Sequence, residues 1–406
     1  MKEWKTYKLG ELINIQSGGT PNKAVTAYWG GNIPWISAKT MYVDFITDSD
    51  IHITEEGLKN GSKLAPVGSV LLLTRGSGLF NRIPVCLVKE AVAYNQDIKC
   101  ITVKDNSITS NTFIFFWLYS QKELLSGILE TTGIGAGKID SSRLLEINVT
   151  LPDIETQNKF ILLCSSIFEK IEINKQINDN LEQQAQALYK SWFVDFEPFK
   201  NGDFVESELG LIPIGWKVTE LSAVTKQITG KVKDRTDVKV LSPVNSGELV
   251  LSEEYFTKQV FSESISKYIV VKPLHFAYNP ARINIGSIGM NTFAFDGCVS
   301  PVYVVFECEK EYHHFFDYYR KTDSFKDEVL TRAIGGVRQT LSYKDFSLIK
   351  LVYPPLDVVR EFNAIYERLL DNTNRTKSEN SKLSDLRDTL LPKLMSGELK
   401  INEIDC

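Results

Sequence analysis

Residues 160–193 read FILLCSSIFEKIEINKQINDNLEQQAQALYKSWF, and their spacing decides the fold. Ile167, Ile171, Asn174, Asn178, Leu181, Ala185, Leu188 and Trp192 recur at alternating steps of four and three, which winds one seam around a long helix. No Gly or Pro interrupts it. At about 1.5 Å per residue such a helix spans roughly 50 Å, more than the width of a small domain. A rod of that length holds something apart or holds something together.

Working outward, the chain repeats itself. A shift of 202 lays Phe160 on Phe362, Ile167 on Leu369, Leu181 on Leu383, Leu188 on Leu390 and Pro152 on Pro354. Upstream, Trp4, Lys5 and Leu9 fall on Trp216, Lys217 and Leu221 at an offset of 212, so the second copy is ten residues shorter between these anchors. Thr132-Gly133-Ile134-Gly135 likewise answers to Ala333-Ile334-Gly335-Gly336. The order is globular region, long helix, globular region, long helix.

The fold class expected is α+β: two mixed globular regions joined by two long antiparallel coiled-coil helices, with a pseudo-two-fold repeat. Residues 1–153 form the first region, 154–196 the first helix, 197–215 a Gly- and Pro-bearing linker, 216–353 the second region, 354–398 the second helix and 399–406 a tail. Runs such as 69–74, 98–103, 147–151, 299–307 and 348–353 read as strands, and 112–128 and 312–330 as helices. Pro152 and Pro354-Pro355 end the regions and open the helices. The second helix carries a seam of Phe362, Ile365, Leu369, Asn372, Thr376, Glu379, Leu383, Leu386 and Leu390. Both seams are apolar at the ends and polar in the middle. Polar seam positions fix register at some expense of stability, and antiparallel pairing brings Asn174 and Asn178 against Asn372, Thr376 and Glu379. The alternative is that each helix packs only on its own globular region.

The 406 residues are 43% hydrophobic and 24% charged, ordinary for a globular chain, and no apolar run is long enough to span a membrane. The N-terminal stretch is amphipathic and polar, so a cytoplasmic location is expected. Cysteines at 86, 100, 164, 298, 308 and 406 form no C-x-x-C pair and read as buried thiols. Net charge is -5, which disfavours bulk nucleic-acid binding while leaving room for local basic patches.

Chemistry is hard to find. His52, His275, His313 and His314 lack metal-ligand spacing and read as surface or satisfied core residues. Gly133 to Lys138 fails as a phosphate loop, because Thr132 stands where its first glycine belongs and Ile139 follows the lysine. Tyr278-Asn279-Pro280-Ala281 lacks the second proline and aromatic of an adenine methyltransferase motif. Glycine loops with isolated basic and amide residues do recur in both regions. Arginine can grip guanine, amides can grip adenine, and glycine lets backbone approach phosphate. The candidate DNA-binding residues are Lys39, Arg75, Arg82, Gln96, Gly135, Lys138 and Arg143 in the first region, and Lys231, Lys233, Arg282, Arg332, Arg338 and Gln339 in the second.

Three segments carry a family resemblance. Thr20-Pro21 with Tyr28-Trp29-Gly30-Gly31-Asn32-Ile33-Pro34-Trp35-Ile36-Ser37 resembles the target recognition domains of type I restriction-modification specificity subunits. Gly210-Leu211-Ile212-Pro213-Ile214-Gly215-Trp216 resembles the opening of their second recognition domain, and Leu390 to Leu399 the close of their second spacer helix. The second region lacks the Trp-Gly-Gly-Asn-Ile-Pro-Trp run, with Lys231 to Val244 in its place. The resemblance implies a non-catalytic subunit whose two domains each read half of a split DNA site, with the helices as ruler. It further implies two modification subunits and ATP-dependent restriction subunits as partners. No cofactor is expected on this chain; S-adenosylmethionine, ATP and Mg would sit on those partners. The competing reading is a two-domain protein-binding scaffold built on the same helices.

Overall fold

The computed structural model describes residues 4–133, 135–256, 261–333 and 340–399. Two long helices dominate, Ile154–Phe193 and Leu356–Ser396. Each starts where proline ends a strand: Asp153 Oδ1 accepts from the Thr156 amide at 2.9 Å, capping the first helix, and the Val359 amide donates to the Pro355 carbonyl at the start of the second. Gly397, at φ 75, turns the chain at the far end, where the Leu399 amide reaches back to the Lys393 carbonyl. Only glycine adopts that backbone without strain, which accounts for the Ser396-Gly397-Glu398-Leu399 ending.

The chain divides into two compact units, one made of residues up to Gln176 with those from Thr376 onward, the other of Ile177–Arg375. Each unit therefore holds one globular region, the near half of the helix after it and half of the other helix. In the first unit Phe160, Cys164 and Phe168 share a core with Leu391, Leu394 and Met395, while Asn174 meets Glu379 and Asn380. Residue numbers rise on one helix as they fall on the other, so the pairing is antiparallel. In the second unit Ala185, Tyr189 and Phe193 share a core with Val359, Phe362 and Tyr366. Packing of each helix on its own region alone is thereby excluded.

On the seam of the first helix Ile167, Ile171, Asn174 and Ala185 are all below 9% exposure, as the spacing predicts, while Asn178, Leu181, Leu188 and Trp192 are half-buried and Tyr189 and Phe193 take the buried places beside the last two. The second seam differs from expectation. Ile365 and Leu386 are 42% and 45% exposed, whereas Tyr366 and Arg387 turn inward, beside the shared positions Phe362 and Leu383. The steps run three then four from Val359, placing Tyr366, Thr373, Asn380 and Arg387 on the seam. Apolarity misled the reading, because Arg387 lays its guanidinium over the Tyr119 and Phe168 rings, Cζ 5.2 and 5.3 Å from their centroids. At the polar middle, Asn174 Nδ2 donates to Glu379 Oε2 at 2.8 Å and to Asn380 Oδ1 at 2.9 Å, and Asn380 Nδ2 donates to the Ile171 carbonyl.

The repeat is one of topology. In the first unit, strand Lys5–Lys8 pairs antiparallel with Asn148–Leu151; in the second, Lys217–Glu220 pairs with Lys350–Tyr353. Ile13–Ser17 lies against Ile98–Val103, as Thr225–Ile228 lies against Val304–Cys308. A parallel pair recurs too, Val92–Tyr94 with Trp29–Ile36 and Gly297–Val299 with Lys239–Pro243. Lys231 to Val244 thus occupies the place of the tryptophan-rich run. Expected single elements are broken: helices Asn111–Ser120 and Lys122–Gly127 replace 112–128, helices His313–Tyr319 and Asp323–Arg332 replace 312–330, and strands Gly297–Val299 and Val304–Cys308 replace 299–307. The linker carries a hairpin, Phe204–Ser207 with Gly210–Pro213.

Cys86, Cys100, Cys164 and Cys298 are buried free thiols and Cys308 a half-buried one; Cys406 lies outside the described residues. Two histidines are not the satisfied core residues expected, since Nδ1 of His275 and of His314 is buried without a hydrogen-bond partner. Burial, with His313 alongside and Asp317 opposing, pushes His314 down to about 3. The folded protein thus keeps His314 neutral while the unfolded chain protonates it near its ordinary 6.5. The stability this group allows is intact above pH 6.5 and falls as pH drops toward 3, by roughly 2–3 kcal/mol at pH 4.5. Chemical denaturation of the wild type and His314→Leu across that window should show the steeper acid decline only in the wild type; parallel curves would contradict the assignment.

Candidate nucleic-acid interface

The tryptophan-rich run is scaffold. Trp35 is buried, its Nε1 donates to the Gly19 carbonyl at 3.1 Å, and its ring meets Trp29 edge-on at 5.5 Å. A Cβ on Gly31 would lie 2.4 Å from the Ile53 carbonyl oxygen, and one on Gly18 only 2.2 Å from that of Tyr94. Backbone packs on backbone here, so side chains other than hydrogen are excluded for steric reasons.

Basic residues gather instead beyond the ends of the central strands. Leu129–Thr131 and Gly137–Ile139 form a hairpin whose turn is closed by Thr132 and Ala136, with Gly135 exposed at φ 79. The hairpin adds Arg75–Gly76 as a third strand, setting Arg75 directly opposite Lys138. Lys99, which the sequence reading passed over, belongs to the same neighbourhood: its amine is lowered by burial, then by the nearby positive charge of Arg75, with Lys138 adding to it and Asp97 opposing. Its signal was present in the alternation of Ile98–Val103, where Lys99 is a polar position between the buried Ile98 and Cys100.

The other candidates separate into engaged and free groups. Arg82 pairs with Asp44 at 3.6 Å and lines a cleft of about 420 Å³ together with Lys122, Lys175 and Arg387. Arg143 pairs with Glu130 at 3.1 Å, Arg332 with Glu328 at 2.9 Å and Lys138 with Asp140 at 3.3 Å. Gln96 accepts from Thr20 at 2.6 Å. Lys39, Arg75, Lys231, Lys233 and Arg282 are exposed and have no ion pair among the described residues. Lys231 and Lys233 sit on one short segment, with Lys233 at φ 55, while Arg282 follows Asn279 in the loop after Phe276–Tyr278. Arg338 and Gln339 lie outside the described residues. The structure groups Arg75 with Lys138 and leaves Arg82 and Arg143 in local ion pairs.

The chain is 26% identical over 419 residues to the type I restriction enzyme MjaIX specificity subunit of Methanocaldococcus jannaschii, covering 99% of this chain and 95% of that protein. Residues 1–183 match the type I restriction modification DNA specificity domain. The chain is similar along its whole length to type I restriction-modification specificity subunits. A second relative, the EcoR124I/EcoR124II specificity subunit of Escherichia coli, is 30% identical over 193 residues, 47% of this chain and 46% of that protein. The fold matches the crystal structure of a type I restriction-modification system S subunit from M. genitalium at TM-score 0.58 and 16% identity, covering 96% of each chain.

For a specificity subunit, the division between scaffold and surface is instructive. Within the segments that carry the family resemblance, Gly31 packs backbone on backbone and Gly397 turns at φ 75, with Trp4 3.2 Å from where a Cβ would stand. The exposed basic loops share topology between the two regions and little else. No helix among the described residues is long and apolar enough to cross a membrane.

Proposed function

We propose that the two globular regions, residues 1–153 and 216–353, each read one half of a split and asymmetric DNA site, with the two long helices setting the distance between the halves. This specificity subunit is itself non-catalytic and serves a type I restriction-modification complex through its modification and restriction partners, with two modification subunits bound. The target adenine would be flipped into the modification subunit. The carrying observation is a shared topology with divergent basic loops: Arg75 and Lys138 on one copy, Lys231, Lys233 and Arg282 on the other. One frame with two sets of loops fits two different half-sites. Lys39, Arg82, Gln96, Gly135, Arg143, Arg332, Arg338 and Gln339 complete the proposed contact set, in which the ion-paired arginines would have to exchange a carboxylate for a phosphate.

The test is to sequence modified bases in DNA from cells that express this chain with its modification partner. A single bipartite motif is the expected result; methylation without a second half would overturn the reading. Arg338→Ala with Gln339→Ala should relax recognition at one half only, whereas a uniform loss over all sequences would make them backbone contacts. A protein-binding scaffold would yield no methylated motif at all.

A further inference from the structure

We infer that Arg75, Lys99 and Lys138 form a phosphate clamp that holds the DNA backbone at the half-site read by the first region, independent of base sequence. The inference rests on the DNA-recognition reading above and assigns a task within it. Three neighbouring backbone segments place the residues together. The Thr74 amide donates to the Asp97 carbonyl at 2.8 Å, the Ile139 amide donates to the Thr74 carbonyl at 2.8 Å, and Arg75 faces Lys138 across the strand pair. The three side chains follow these anchors by one or two positions, or precede them by one.

Acid partners are scarce at this place. Arg75 and Lys99 have no carboxylate at ion-pair distance among the described residues; Lys99 Nζ donates to the Ser17 hydroxyl instead. Lys138 shares Asp140, but that carboxylate already caps the helix Ser141–Leu145, accepting from the Ser142 amide at 2.8 Å and from its hydroxyl. Asp97 accepts from the Gln96 amide at 3.4 Å, and Glu130, across the strand pair from Lys138, is engaged by Arg143 at 3.1 Å. Like charges gathered without matching acids work against folding. Arg75, the charge that acts most strongly on Lys99, is also exposed, so the group is open to solvent rather than closed by the protein. A polyanion supplies the missing countercharge.

Backbone rather than base contact follows from the company these residues keep. The nearby amide, Gln96, accepts from Thr20 and donates to Asp97, bonds it would have to exchange before it could touch DNA. Gly76 and the exposed Gly135 flank the cations without side chains, which permits close approach of a sugar-phosphate chain. Neutralising a phosphate releases counterions, so each contact adds about 0.9 to the slope of log affinity against log salt.

The experiment uses the complex of this chain with its modification subunits and duplexes that carry the methylated motif or a scrambled one. Lys99→Gln and Arg75→Gln should each flatten the salt slope by about 0.9, and the double variant by about 1.8, with both duplexes weakened alike. Lys99→Arg should keep the wild-type slope. Because Lys99→Gln relieves repulsion, its Tm should be no lower than wild type, which separates lost contact from lost fold. An unchanged slope, or a loss confined to the motif duplex, would overturn the clamp. If the wild-type complex does not prefer its methylated motif, the recognition reading itself fails, and the clamp with it.

Discussion

Phe168→Ala is expected to destabilise the first unit by about 3–5 kcal/mol, the range for removing a fully buried phenyl ring. Phe168 is 2% exposed and stands at the junction of three elements. Its ring lies 5.2 Å from Phe116, 5.7 Å from Phe115 and 5.0 Å from Tyr119, with the Arg387 guanidinium of the second long helix 5.3 Å above it. Truncation removes apolar burial, opens a cavity that three aromatic rings cannot collapse, and leaves a half-buried guanidinium without one of its two ring faces. Urea unfolding followed by a tryptophan signal from Trp117 or Trp35 should show the early transition. A shift of under 1 kcal/mol would mean that the helix pair is not anchored through this ring. Because the second unit's aromatic core is built from other residues, Tyr189, Phe193, Phe315 and Phe362 among them, its transition should move little.

The second large effect concerns spacing. Four residues inserted after Asn178 would lengthen the first helix by roughly 6 Å, on the order of one to two base pairs along a duplex. Four residues are also slightly more than one turn, which disturbs the seam less than one or two would. Both long helices contribute to both compact units, so a change in helix length falls between the regions proposed to read the half-sites. Methylation mapping should then recover the two original half-sites with a longer gap between them. Recovery of the original gap would remove the ruler from the proposal while leaving the recognition role intact.

Much of this was legible in the chain itself. The step of four and three through Ile167, Ile171, Asn174 and Ala185 names the buried face of the first helix, because helical periodicity is a local property. The offset of 202 announces two copies before any strand is paired. The second seam was only half legible. Phe362, Leu369, Thr376, Leu383 and Leu390 were placed correctly, yet the exposed Ile365, Asn372 and Leu386 were preferred to Tyr366, Thr373 and Arg387, since hydropathy counts the charge of an arginine and ignores the aromatic faces its guanidinium can lie on. Helix breaks at Gln121 and at Arg320 to Thr322 were missed because neither site has Gly or Pro, although Thr322 caps the next helix by accepting from the Phe325 amide.

For the candidate interface the balance is reversed. Composition pointed to arginines in glycine loops, but could not tell Arg82 and Arg143, which end in ion pairs with Asp44 and Glu130, from Arg75, which does not. Lys99 escaped notice because it lies inside a strand, and its partners come from segments about 25 and 40 residues away in the chain.

What the sequence by itself determined is the architecture: two related regions, two long helices with polar middles, and no assembled catalytic motif, all read from periodicity and repetition within short windows. What only the tertiary structure decided is the pairing of distant segments. It shows that each compact unit takes in half of both helices, that the tryptophan-rich run is internal scaffold, and that Arg75, Lys99 and Lys138 share one neighbourhood. The physical reason is that hydrophobic period is written residue by residue, while charge proximity and side-chain burial depend on which strands become neighbours, and neighbours are set by the fold as a whole.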